Sequence, residues 1–397
     1  MEETLTTLFA TWPFGIFFLV AGLCIGSFLN VCICRLPAGK SIVWPPSQCV
    51  SCQTPIAWYD NIPVVSYLVL GGRCRRCGAT FSARYMIVEL VTGLLWFGYW
   101  LAYFKLGIRS GADHPGVYLV HVALVSALLA SGVIDYDRKE IYTAITNFAV
   151  GAGVVGSFIW PAVQQIGMYD QIRWLPDITG LERVDAAVLS LVGASVGVGV
   201  ISATRFLGAL AFRREAMGVG DAYLMAAIGA CLGWEATILV FMVAPFIGLP
   251  FGFWQLWRER KQTQAEAGEE AEEPPPPKVG YASFVTTVLG FALFLAAALE
   301  ARPAWGLAAR GLVLAGLVAF GISFLLLRRE EGAGAEEPSE EESPAKEETP
   351  EQAGHEIPYG PFLGMAACVV MLVQNYAVDW FRPGLQALFS EWLGRAV

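Results

Sequence analysis

Long apolar stretches recur along almost the whole chain, each closed by a short polar or Gly/Pro-containing segment, and several match the roughly 20 residues a helix needs to cross a bilayer. The pattern predicts ten spans, at about 14–34, 86–104, 115–135, 142–160, 186–204, 221–235, 236–256, 280–299, 309–327 and 357–378. The sixth is short and nearly continuous with the seventh. Spans one and two are separated by a polar segment at 36–85. Two tracts, 258–280 and 328–356, are rich in Glu, Ala, Pro and Gly, and the first contains Pro274-Pro275-Pro276-Pro277. Such segments bury too little apolar surface to fold and read as acidic disordered linkers. Past the last span, Leu385, Leu388, Phe389, Trp392 and Leu393 repeat at helical spacing, with Arg382, Glu391 and Arg395 opposite. This predicts an interfacial amphipathic helix over 379–397, with Trp380 and Trp392 at headgroup level.

Composition agrees: the chain is 55% hydrophobic and 15% charged, with mean hydropathy +0.53. The net charge of −9 is misleading, because the two linkers hold 17 of the 35 acidic residues and 7 of the 26 basic ones. The body is neutral and carries no basic stripe, which excludes a nucleic-acid partner. Ten spans with the N-terminus outside place 18 of the 26 Lys and Arg residues in the cytoplasm, as the positive-inside rule prefers. Glu2 and Glu3 precede the first span and the basic residues follow it, which argues against a cleaved signal peptide.

Nine cysteines divide into two groups. Cys24, Cys32, Cys34, Cys231 and Cys368 lie in apolar runs, where a thiol is usually a small hydrophobe. Cys49-x-x-Cys52 and Cys74-x-x-Cys77 lie in the polar segment and have the spacing of two knuckles sharing a structural zinc ion. Two disulfides or four free thiols are the alternatives, and a cytoplasmic loop argues against disulfides.

Two aspartates stand at span edges, where an ionisable group is costly. Asp135 ends the run that begins at His114, and Asp221 opens another after Gly218-Val219-Gly220. In the predicted topology both reach the same membrane face, so they are candidates for acid–base hydrolysis by a carboxylate pair. Taken singly, each has a plain structural reading: Asp221 as a helix N-cap, Asp135 as the first residue of a polar loop. The helix dipole favours the anion at Asp221, near an N-terminus, and opposes it at Asp135, near a C-terminus; the pair would then be base and acid respectively. Gly218 and Gly220, in the loop before Asp221, would leave room for an extended substrate backbone. Glu89 is either an interfacial snorkelling acid or part of the site lining. Asn30 either bonds between helices or lines the site. Asp137 reads as solvated, and His114 and His121 as packing residues far from the aspartates. No Ser-His-Asp set, His-Glu-x-x-His motif or phosphate loop is present.

Several motifs together resemble the type IV prepilin peptidases, a family of GxGD membrane aspartyl proteases. They are Gly26-Ser27-Phe28-Leu29-Asn30-Val31 with Arg35-Leu36-Pro37; the two cysteine pairs with Trp58-Tyr59-Asp60-Asn61-Ile62-Pro63 and Gly72-Arg73; and Arg84-Tyr85 with Val88-Glu89-Leu90-x-Thr92-Gly93. Ile134-Asp135, Met217-Gly218-x-Gly220-Asp221 and Tyr359-Gly360-Pro361-Phe362-Leu363 complete the set. The chain departs from the family at Ile141-Tyr142, where a proline usually follows, and in the insertion 258–356. The resemblance implies catalysis by Asp135 and Asp221 and removal of a leader from prepilins or pseudopilins at the cytoplasmic face of the bacterial inner membrane. It also implies N-methylation of the new terminus from S-adenosylmethionine.

The expected fold is an all-α polytopic membrane protein with a small zinc-ribbon-like module. Its parts are a first span (1–35), the four-cysteine module (36–85), a catalytic transmembrane core (86–257), the acidic linkers around an extra hairpin (281–327), the final span (357–378) and the interfacial helix. A non-catalytic zinc-ribbon scaffold or a transporter is the rival reading; a transporter would carry broken helices near mid-bilayer.

Overall fold

A computed structural model describes residues 2–106, 114–165, 181–212, 217–266, 359–372 and 374. Among these the chain is helical: α1 (Glu2–Phe9), α2 (Trp12–Arg35), α3 (Val65–Leu70), α4 (Arg84–Trp100), α5 (Pro115–Arg138), α6 (Thr143–Ile159), α7 (Ala162–Gln165), α8 (Glu182–Phe212), α9 (Val219–Glu266) and α10 (Gly360–Leu372). Five helices, α2, α4 with its π-helical extension Leu101–Lys105, α5, α8 and α9, are long and apolar enough to cross a membrane, and α6 and α10 are shorter apolar helices. The protein is a helical membrane protein, but the count of ten spans is not reproduced. The spans expected at 280–299 and 309–327, the linker at 328–356 and the interfacial helix at 379–397 lie outside the described residues.

By contacts the chain divides into a unit of residues 1–248 and 358–382 and a second of 249–357 and 383–397. The first holds every candidate site residue. Its helices pack through small residues, since apolar lipid offers no hydrophobic drive for helices to associate and close backbone approach supplies the contact. On α2, Gly22 and Gly26 are one turn apart. A Cβ on Gly22 would lie 2.9 Å from the Gly93 Cα of α4, and one on Gly26 would lie 2.6 Å from the Glu89 Cα. Between α8 and α9, Gly193 faces Gly229, and Gly197 faces Met225, both across backbone atoms. Hydrogen bonds from Trp96 to Ser126 and from Tyr99 to the Cys368 carbonyl tie α4 to α5 and α10. The centre of the unit is α5, with Val117, Tyr118, Leu124, Val125 and Ile134 buried.

The helical run α9 breaks at Gly233, whose φ of 83° and ψ of 169° fit no helix. It folds back there. A straight helix would carry Gly248 roughly 40 Å from Asp221, yet both ends return to α10. Ile141 lies against both Gly220 and Gly360, at 2.8 and 3.4 Å from their Cβ positions, and a Gly248 Cβ would sit 3.3 Å from the Phe362 ring. The carbonyl of Ala230, freed by the break, accepts hydrogen bonds from Ser190 and Gln164, as a buried helix interruption requires. At the other end α9 continues to Glu266, nine residues into the tract expected as linker from 258. That tract begins Arg258-Glu259-Arg260-Lys261-Gln262, polar but strongly helix-forming, so low hydrophobicity there does not prevent the helix from extending.

Candidate active site

The polar segment between α2 and α4 is organised around the four expected cysteines. In each half a hairpin folds back on itself. Cys49 N–H donates to the Thr54 carbonyl beside a Gln48–Pro55 bridge, and Cys74 N–H donates to the Ala79 carbonyl beside an Arg73–Thr80 bridge. Gln53 and Gly78, each following the second cysteine of its pair, both take positive φ, at 55° and 71°. The Sγ atoms of Cys49, Cys52, Cys74 and Cys77 all lie within 4.8 Å of one another, with Cys49 and Cys77 at 3.8 Å. A zinc ion with Zn–S bonds of about 2.3 Å needs tetrahedral edges of about 3.8 Å, so this thiol set fits a structural metal. The Thr54 hydroxyl beside Cys52 holds its thiol down, at about 6. An Asp60–Arg75 pair braces the module and keeps the Asp60 carboxyl below the usual carboxylate range.

Glu89 joins this module to the membrane helices. Its Oε2 accepts from the Val64 N–H at 2.8 Å, and Val64 sits at a positive φ of 62° at the head of α3. Asn30 donates to the Tyr85 carbonyl at 2.9 Å, fastening α2 to α4. Both residues hold elements together near the membrane edge. His121 is buried and bonds Tyr103, and His114 accepts from the Gly116 N–H at the start of α5, so both pack as expected. Asp137 is exposed, as expected, and also forms a surface ion pair with Arg84, because the first turn of α4 lies beside the last turn of α5.

The two aspartates are brought to one end of the bundle. Asp135 lies in the last turn of α5 and Asp221 in the first turn of α9, and each is 6% exposed. Asp135 Oδ2 accepts the Gly360 N–H at 3.0 Å, and Asp221 lies within electrostatic reach of Asp135 and Arg205. On α8, Gly193 and Gly197 face Gly229 and Met225 of α9, and Ile201 and Arg205 follow one and two turns further along that helix. A cavity of about 270 Å³ there is lined by Ser202, Arg205, Phe206 and Ala209. None of these four residues is acidic.

Gly218 and Gly220 play different parts. A Cβ on Gly218 would meet nothing closer than Asp221 Oδ2 at 3.7 Å, so space beside that backbone is open. Gly220 is the second residue of α9, not a loop residue, and the room it leaves is taken by Ile141. Sequence reasoning missed Arg205 and Ile141, whose places depend on helix register. It placed Tyr359 in a motif without giving its side chain a role.

Two buried aspartates at membrane-helix ends, in a chain that also carries a four-cysteine module, define the class: a polytopic membrane protein with a pair of acidic side chains held in its interior. The chain belongs to the type IV prepilin leader peptidase family. Residues 20–103 match the bacterial peptidase A24 N-terminal domain, and 122–253 match the type IV leader peptidase family. A prepilin leader peptidase/N-methyltransferase of Myxococcus xanthus is 36% identical over 266 residues, covering 66% of this chain and 70% of the relative. One of Klebsiella pneumoniae is 33% identical over 246 residues, covering 59% and 93% respectively. A type 4 prepilin-like leader peptide-processing enzyme of Escherichia coli is 30% identical over 249 residues, covering 58% and 81%. No solved structure matches significantly.

Proposed function

We propose that this protein is a membrane-embedded aspartyl endopeptidase that removes the leader of type IV prepilins or pseudopilins at the cytoplasmic face of the bacterial inner membrane. The observation carrying this reading is the approach of Asp135 and Asp221, remote in sequence, at one buried end of the bundle. Asp221 is assigned the base: it heads a helix, where the dipole favours an anion, and Arg205 lies in reach. It takes a proton from the attacking water. Asp135 is the acid; with Oδ2 engaged by Gly360, Oδ1 carries the proton given to the carbonyl oxygen, and the leaving amine takes the proton that Asp221 gained from water. The four-cysteine module would hold structural Zn²⁺ through Cys49, Cys52, Cys74 and Cys77. Bound zinc would supply a cross-link for a segment with little core of its own.

N-methylation of the new terminus, from S-adenosylmethionine, is proposed from the names of the relatives. Mass spectrometry of the mature N-terminus tests it, since an unmethylated product leaves a peptidase alone. Purified protein incubated with a prepilin, beside Asp135→Asn and Asp221→Asn, tests the peptidase. Both variants should lose cleavage. Normal processing by both would favour the non-catalytic scaffold.

A further inference from the structure

We infer that Tyr359 is a catalytic hydrogen-bond donor whose phenol hydroxyl binds the carbonyl oxygen of the scissile peptide bond and the negative charge that develops on it. This rests on the peptidase reading above. The Tyr359 hydroxyl is buried and has no hydrogen-bond partner. Its backbone is pinned: the Tyr359 carbonyl accepts from Phe362 and Leu363 at the head of α10, and the next N–H, of Gly360, is held by Asp135. On the other side the phenol lies within electrostatic reach of Asp221. The hydroxyl thus lies near Asp221, on a residue whose next N–H is held by Asp135, and has no partner of its own.

A second hydroxyl repeats the observation. Ser131 is 1% exposed, sits one turn before Asp135 on α5, and has no partner. Thr92, Ser126 and Ser157, also buried in helices, each bond the carbonyl four residues back. Ser131 does not. Gly132 faces Pro361 at 3.5 Å, so the stretch 359–361 lies along this part of α5. Leaving a hydroxyl buried and unpaired costs free energy, and orphaned polar groups are rare without a functional reason. Two of them beside the carboxylate pair match what an extended peptide supplies, a row of carbonyl acceptors.

In the reaction the water oxygen bonds the carbonyl carbon while its proton passes to Asp221. The carbonyl oxygen, gaining the electron pair, receives the Asp135 proton and a hydrogen bond from Tyr359, which keeps its own proton. On collapse the nitrogen takes the proton that Asp221 gained from water, one diol hydroxyl returns its proton to Asp135 as it becomes the new carbonyl, and the C–N bond breaks to leave a carboxylic acid and a free amine. A preorganised donor of this kind acts mainly on the transition state.

The test compares full-length wild type, Tyr359→Phe, Asp135→Asn and Asp221→Asn on a prepilin substrate, with kinetics and thermal unfolding. Tyr359→Phe should lower kcat about 100-fold, leave KM within about threefold, and melt at or above the wild-type temperature, since the deleted hydroxyl has no partner to lose. Near-normal kcat in Tyr359→Phe while both aspartate variants are inactive would overturn the role of Tyr359 and leave the peptidase standing. A lowered melting temperature with parallel loss of activity would assign Tyr359 to structure instead. Active aspartate variants would remove the peptidase reading itself.

Discussion

At Gly360 even a methyl group is too much. A Cβ there would lie 2.6 Å from Asp135 Oδ2, the oxygen that its own N–H holds. Gly360→Ala should displace the carboxylate and lower cleavage by about 100-fold, as misplacement by an ångström typically does, while Gly218→Ala should fold and melt as wild type because its nearest contact is an ordinary 3.7 Å. Kinetics and melting curves on the two variants check the contrast. Glu89 works through charge: its carboxylate holds the N–H of Val64, a β-branched residue at positive φ that is costly to hold there. Glu89→Ala should destabilise that junction by about 2 kcal/mol and speed proteolytic cutting near residues 61–72, with zinc content unchanged. Neither effect is visible in the sequence. A glycine in a motif does not say which atom fills its space, and Glu89 reads there as either an interfacial acid or part of the site lining, with no partner named.

At the scale of elements, α8 and α9 meet backbone to backbone. A Cβ on Gly229 would fall 2.0 Å from the Gly193 carbonyl oxygen, and neither backbone can yield without moving a helix. Gly229→Ala should therefore cost about 1–3 kcal/mol or more and shift Arg205 relative to Asp221; a lowered melting temperature with lowered cleavage is the expected outcome. The four-cysteine module stands on its ligands instead of a core. Cys74→Ser, or a strong chelator, should reduce bound zinc below one equivalent and open the segment between α2 and α4 to protease, as metal analysis and limited digestion would report. Legibility at this scale followed the physics. The cysteine spacing was readable because a metal site is local geometry. The junction of the sixth and seventh spans was faint because the turn depends on Gly233 at positive φ and on Ser190 and Gln164 from other helices, which cap the freed Ala230 carbonyl.

For the molecule as a whole, hydropathy alone identified a helical membrane protein, since about 20 apolar residues in a row have few other stable homes. The order of the motifs along the chain identified the family, and the spacing of Cys49, Cys52, Cys74 and Cys77 announced the module, because each is a statement about neighbours in sequence. Tertiary structure decided what depends on neighbours in space. It folded α9 back at Gly233, paired Asp137 with Arg84 and seated Ile141 where Gly220 leaves room. It also set two hydroxyls without partners beside the carboxylates. Periodicity says which residues enter a membrane; only close packing between particular backbones says which of them meet.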